Sequence, residues 1–340
     1  MKRVLIGVIV LFAACSLTAQ QDAQFSQNMF INSAINPGAA GIKGMRCFDL
    51  IAREQWFGFE GRPETGLLNF SSPLSPVSNF GIGGVLMYDK IGFENNINFK
   101  LNGAYHFNVG SNGAKLGIGV DVGILQRAMS GITKAVNQLD PSIDLSGNPS
   151  DMGVDLGFGI FYYKPINSGN GLYFGVSGQK LLPQKITLGT ATPEIRQHAY
   201  ITAGYSYFVN KSLILKPNML VKTDLTSTQM DVNLTAEFNS ALWLGASYRV
   251  TDAFVTNVGF YVPRGTDQAP KQPLKIGLAY DFTMQALKNR GTFTTWNEAG
   301  NVQDVNDNNR SIGSAELYIG LCVIPPPKPD FDIYVDPLFL

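Results

Sequence analysis

The sequence has little charge. Asp, Glu, Lys and Arg make up 15% of its 340 residues, against roughly a quarter in ordinary soluble domains. Basic and acidic residues cancel at 26 each, which removes the electrostatic footprint of a nucleic-acid partner. Histidine is scarce, with only His106 and His198. Neither has cysteines or paired carboxylates at ligand spacing, so no metal site and no nucleophile–base set is visible, and no enzyme activity or cofactor is expected. Asp304–Asn308 resembles the start of a calcium loop, but Asn309 and Ala315 stand where glycine and glutamate are required. Long apolar runs are missing too. After the first twenty residues none is long enough for a transmembrane helix.

What is present starts with an export signal. Lys2 and Arg3 precede an apolar run from Val4 to Ala14, too short to span a bilayer. Cleavage is expected after Ala19, although Leu17 is a poor residue three places before that bond. A lipoprotein site at Cys15 is disfavoured by Phe12 at the same relative position. Glycine is abundant, at 36 residues, and aromatics reach 11%.

Period-2 alternation fills most of the rest. In 230–238, Met230, Val232, Leu234, Ala236 and Phe238 share one face, and Asp231, Asn233, Thr235 and Glu237 share the other. The same pattern runs through 97–107, 242–250 and 274–282. Faces that carry full charges cannot point into a dry core, so they meet water. About fourteen such segments follow one another from 46 to 324, which is the pattern of an antiparallel transmembrane β-barrel. A strand of ~10 residues, rising ~3.3 Å each and tilted ~45°, covers the ~23 Å of an outer-membrane apolar band. Three long connections, 128–151, 181–195 and 284–312, follow the fifth, seventh and thirteenth segments. They would share one end of the barrel, as extracellular loops do. The connection 264–272 is longer than that rule predicts for the other end.

The expected organisation is a signal peptide (1–19), an N-terminal plug or cap (20–45), an outer-membrane barrel (46–324) and a proline-rich periplasmic tail (325–340). A barrel of ~14 strands has a diameter of roughly 28 Å, more than its own side chains fill. The stretch 21–41, QDAQFSQNMFINSAINPGAAG, does not alternate, and Asn36-Pro37-Gly38 is a strong turn signal. Phe25, Met29, Phe30 and Ile35 need cover. The stretch is expected to pack into the barrel or across its periplasmic opening. Arg53 and Gln55 are expected to face inward, with Trp56 facing out or at the rim. Cys47 and Cys322 fall near the periplasmic ends of the first and last strands, on inward faces. Two readings stay open, two free thiols or a disulfide across the barrel seam. Asp330–Tyr334 alternates and could add to a partner's sheet edge. On these grounds alone a passive porin fits as well as any other outer-membrane barrel.

The same residues resemble a known family. Gln24–Gln27, Met29-Phe30, Ile35-Asn36-Pro37 and Ala40-Gly41 are similar to the N-terminal signature of PorP/SprF proteins of Bacteroidetes type IX secretion, with Asn28 where tyrosine is usual. Arg53-x-Gln55-Trp56 with Gly58-Phe59, Asp89-Lys90-Ile91-Gly92 and Tyr280–Thr283 resemble further family motifs. The resemblance singles out Phe25, Ser26, Met29, Phe30, Asn36, Pro37 and Gly41 as structural or partner-contacting residues. It implies an outer-membrane barrel that supports secretion or surface attachment of a cognate protein such as a large adhesin, gliding included. Its partners would be the C-terminal domain of that substrate, other type IX components and the lipid bilayer. It implies no catalytic residues.

Overall fold

The computed structural model describes residues 22–58, 61–110, 112–130, 149–167, 170–188, 192, 194–266, 269–284, 293–296, 302–305 and 313–324. The signal segment, most of the connections 128–151 and 284–312, part of 181–195 and the proline-rich tail lie outside the described residues.

Alternation becomes strands where it was read. They are β1 (Arg46–Glu54), β2 (Glu64–Pro73), β3 (Phe80–Ile91), β4 (Glu94–Val109), β5 (Ala114–Met129), β6 (Ser150–Asn167) and β7 (Asn170–Gln179). Then come β8 (His198–Gly204, resumed at Tyr207–Phe208), β9 (Leu213–Thr223), β10 (Thr228–Phe238), β11 (Leu242–Arg249), β12 (Ala253–Thr266), β13 (Ala269–Thr283) and β14 (Ser314–Val323). Each pairs antiparallel with the next, and β14 returns to pair with β1 from Arg46↔Val323 to Glu54↔Ala315. The fourteen strands close into a barrel, and closure satisfies the edge hydrogen bonds that lipid could not. A short hairpin pairs Phe293–Trp296 with Val302–Val305 inside the β13–β14 connection.

Burial gives the barrel its sidedness. On β4, Phe99 and Leu101 are 46% and 54% exposed, while Lys100 and Asn102 between and beside them are 7% and 5% exposed. Apolar side chains face outward and polar ones inward, the inverse of a soluble fold and the pattern of a lipid-facing wall.

The β5–β6, β7–β8 and β13–β14 connections leave the same end of the barrel, the one where β1 finishes. Tight turns close the other end. At Asn239-Ser240 both residues take positive φ (51° and 52°), and Ala241 N–H donates to Phe238 O at 2.9 Å. That is the twist-matched hairpin turn. By the long-loops-outside rule, the end where β1 starts is periplasmic.

The stretch 264–272 is not a loop. β12 and β13 continue through it, with Arg264↔Lys271 and Thr266↔Ala269 paired. Its prolines suggest a break, but the register shifts between Val262 and Arg264. Pro263 there opposes Gln272 and Pro273, and such a bulge removes the need for proline N–H groups.

Candidate functional site in the barrel lumen

Residues 22–45 lie within the ring of strands. They form three short helical turns, Asn28–Phe30, Asn32–Ile35 and Pro37–Ala39. Of the two placements expected for this segment, inside the barrel or across its periplasmic opening, it takes the first: it runs along the lumen, and its first residues reach the opposite end. Asp22 meets Lys180, beyond the last residue of β7, and Tyr200 near the start of β8, whose hydroxyl donates to it at 2.7 Å. Lys222 Nζ donates to Asp22 O at 2.8 Å, and the Asp22 N–H meets His198 Nε2 at 3.4 Å. Burial alone would raise the Asp22 pKa, but Lys180, His198 and Lys222 hold it well below the usual carboxylate range.

Next along the segment is the densest polar cluster. Glu316 on β14 accepts the backbone N–H groups of Ser26 and Gln27 at 2.7 and 2.8 Å. Ser26 Oγ donates to Asp281 on β13 at 2.7 Å and accepts from Arg53 Nη1 at 2.7 Å. Arg53 also pairs with Asp281 at 2.7 Å and with Glu316 at 3.3 Å. Arg249 on β11 pairs with Asp281 at 2.9 Å and Asp231 at 3.3 Å. All five charged residues are at least 94% buried. Arg53 and Ser26 were singled out from the sequence; Glu316, Asp231 and the role of Asp281 were not. The signal was there, as lone inward charges one alternation apart. Only the register shows that Arg53 faces Glu316 and Asp231 faces Arg249.

The lumen wall also carries an apolar patch. Ile51, Leu67, Val85, Trp243 and Tyr318 cluster there around Ile31, with Phe25, Phe30 and Ile35 packed against them. Phe30 stacks on Tyr318 with ring centres 4.5 Å apart and meets Trp243 edge-on at 5.5 Å. The sequence marks this patch by adjacent apolar pairs, Leu50-Ile51, Leu67-Leu68 and Val85-Leu86. There the wall needs one apolar residue for lipid and one for the segment.

The Asn36-Pro37-Gly38 turn sits against wall glycines. Asn36 Nδ2 donates to Ile160 O and Val176 O at 3.0 and 3.1 Å, bridging β6 and β7, while its Oδ1 accepts the Gly38 N–H at 2.9 Å. Pro37 opens the last helical turn, where it has no N–H to leave unpaired. A Cβ on Gly119 would stand 2.6 Å from Pro37 O. Gly41 has φ +70°, donates to Ser71 Oγ at 2.8 Å, and has no room for a side chain against Ser72. Beyond it the chain enters β1.

The remaining candidates separate. Trp56 does not continue the alternation: β1 stops at Glu54 and Trp56 takes φ 56°. With Gln55 it lines a cavity at the far lumen mouth, beside Ala23 and Gln24. Met29 faces a recess toward the periplasmic end. His106 and His198 are buried, inward-facing wall residues, and among the described residues no group of histidine, cysteine or acidic side chains is arranged to hold a metal. Cys47 and Cys322 oppose each other across the seam and are joined by a disulfide, S–S 2.11 Å.

Residues 17–296 match the family model described as "Type IX secretion system membrane protein PorP/SprF". The chain belongs to the PorP/SprF family. It is a membrane protein of the type IX secretion system and an outer-membrane β-barrel. No curated protein matches the sequence. Among solved structures, this PorP/SprF chain is similar to CdiB from Acinetobacter baumannii at 10% identity, covering 82% of this chain and 60% of CdiB, with a TM-score of 0.41. It is similar to the toluene transporter TbuX of Ralstonia pickettii at 10% identity, covering 85% and 92%, TM-score 0.45. It is also similar to the translocator domain of the autotransporter NalP from Neisseria meningitidis at 10% identity, covering 87% and 92%, TM-score 0.41. No function passes from these to the PorP/SprF chain.

Proposed function

We propose that this PorP/SprF protein is a closed accessory barrel that supports secretion or surface attachment of one cognate type IX substrate. In this reading it passes no solutes and catalyses no reaction. The observation that supports it is the anchored segment 22–45. A solute channel needs an open lumen, whereas here Ser26 and Gln27 are bound to buried wall charges across the bore. Hydrogen bonds to buried charged groups are costly to break because the charges left behind are unmet, so the segment acts as a fixed filling and the surfaces at the two ends are left for partners. The partners are the substrate's C-terminal domain and other type IX components. The test is gene deletion followed by proteomics of the cell surface. Loss of one large surface protein, restored by complementation, is the expected result. An unchanged surface with reduced uptake of small solutes would overturn the proposal and favour a channel.

A further inference from the structure

Toward the periplasmic end, the lumen holds a recess of about 90 Å³ between the segment and the wall. Aromatic side chains form its sides: Phe30 from the segment, Tyr163 from β6, Tyr173 from β7, Trp243 from β11 and Tyr261 from β12. Lys43, Lys216 and Lys275 also line it. Lys216 is paired with Glu237, which also accepts from the Tyr261 hydroxyl at 2.6 Å. Lys275 Nζ stands over the Phe30 and Tyr261 rings at 5.6 and 6.0 Å. Asp49 lies nearby, but its carboxylate is engaged by Asn69 and Tyr318 at 2.8 Å each. Among the described residues no carboxylate lies within ion-pair distance of Lys43 or Lys275; Asp49 acts on both and Glu237 on Lys275 through space, and each of these carboxylates already accepts other hydrogen bonds.

We propose that this recess binds a peptide segment carrying a carboxylate next to an aromatic or large aliphatic side chain. The ring enters the aromatic walls, where area and edge contacts favour it. The carboxylate meets Lys43 and Lys275, where a charge-assisted hydrogen bond replaces a cation over a ring. A bare inorganic anion would leave the aromatic walls unused, and a neutral apolar group would leave the ammonium groups unmatched. The site lies inside the barrel, away from the bilayer, which excludes a membrane lipid held in place. Residues 330–336, Asp-Phe-Asp-Ile-Tyr-Val-Asp, have this chemistry. Its source is either this chain or a separate protein that docks at the periplasmic end. The inference concerns binding by the purified protein, so it stands or falls separately from the secretion reading.

The probe is a synthetic heptapeptide of sequence 330–336, titrated calorimetrically into the full chain and into a chain ending at Ile324, both in detergent. Saturable binding is expected, weakened at least tenfold when asparagine replaces the peptide's aspartates. Lys43→Gln and Lys275→Gln should each weaken it similarly, while Lys211→Gln, in an exposed turn away from the recess, leaves it unchanged. Lys43 is outside the strands, so its variant keeps the test valid if Lys275→Gln fails to fold. Binding by both chains assigns the source to a separate segment. Binding only by the shortened chain assigns it to this chain's own residues. No binding by either chain, or equal binding of the asparagine peptide, overturns the proposal.

Discussion

Glu316→Gln should loosen the N-terminal segment without disturbing the barrel. Glu316 accepts two backbone N–H groups, from Ser26 and Gln27, and pairs with Arg53. A glutamine there has one acceptor oxygen. Its amide nitrogen would face an N–H donor, so one bond is lost and one donor is left unmet. A hydrogen bond to a charged group contributes about 1.5–3 kcal/mol, and a buried donor left unmet adds to the loss. The Arg53–Glu316 pair joins two wall strands and is the same whether or not the segment is docked, so only the bonds to Ser26 and Gln27 count, and about 3 kcal/mol is the reasonable figure. At ~1.4 kcal/mol per factor of ten, that shifts the local opening equilibrium by ~100-fold. The assay is hydrogen exchange by mass spectrometry on the peptide covering Ser26 and Gln27. Exchange there should quicken by roughly two orders of magnitude, while β1 and β14 keep wild-type protection. Asp252→Asn serves as the control. Its contact with Arg249 is long, 3.5 Å, and the Asp252 side chain is 40% exposed, so the effect should stay within a few-fold. Wild-type exchange at Ser26 and Gln27 in Glu316→Gln would refute the assignment of this carboxylate as the anchor.

Three further outcomes follow from the same contacts. Gly119→Val should push the 36–40 turn off the wall and expose the segment to limited proteolysis, since even a Cβ there would stand 2.6 Å from Pro37 O; an unchanged cleavage pattern would contradict the close packing. The Asp22 contact should depend on pH in one direction. Its folded pKa lies below the unfolded value of ~3.9, so the contact is intact above that value and weakens as pH falls through the folded pKa. Exchange at Ala23–Phe25 should be flat from pH 6 to 7 after correction for intrinsic rates and rise below ~pH 4, and Asp22→Asn should show the loosened state at neutral pH. Cys47→Ser with Cys322→Ser should abolish any mobility difference between reduced and unreduced unfolded protein and lower stability by up to about 5 kcal/mol, because the bond closes a loop spanning 275 positions. Equal thermal stability with and without reductant would count against a stabilising role.

The barrel was legible because period-2 alternation is a local property. Each strand announced itself through a few residues, such as Leu234 against Asn233 and Thr235. Closure and sidedness followed from the charged faces. Where proline punctuated the pattern, at Pro263 and Pro273, the strands ran on through a bulge that only pairing reveals, and beyond it Pro270 pairs with Gly265. The lumen site was legible in part. Ser26, Asn36, Pro37, Gly41 and Arg53 stood out as motif residues. Their partners did not, because the meeting of Glu316 with Ser26 depends on register and on the path of a segment without periodicity. That path also explains why the sequence left two placements of the segment open. Nothing local tells a chain that caps an opening from one that runs the length of a bore. The apolar patch of Ile51, Leu67 and Val85 was hidden for a different reason, since each residue has an apolar neighbour that accounts for the lipid face.

A lumen filled by residues 22–45 should leave no continuous path for ions. Planar-bilayer conductance tests it most directly, comparing the full protein with a variant lacking 22–45. A silent wild type and stepwise channel openings for the deletion variant are expected, with Glu316→Gln showing brief openings. Steady, stepwise conductance from the wild type, unchanged by deletion of the segment, would contradict it.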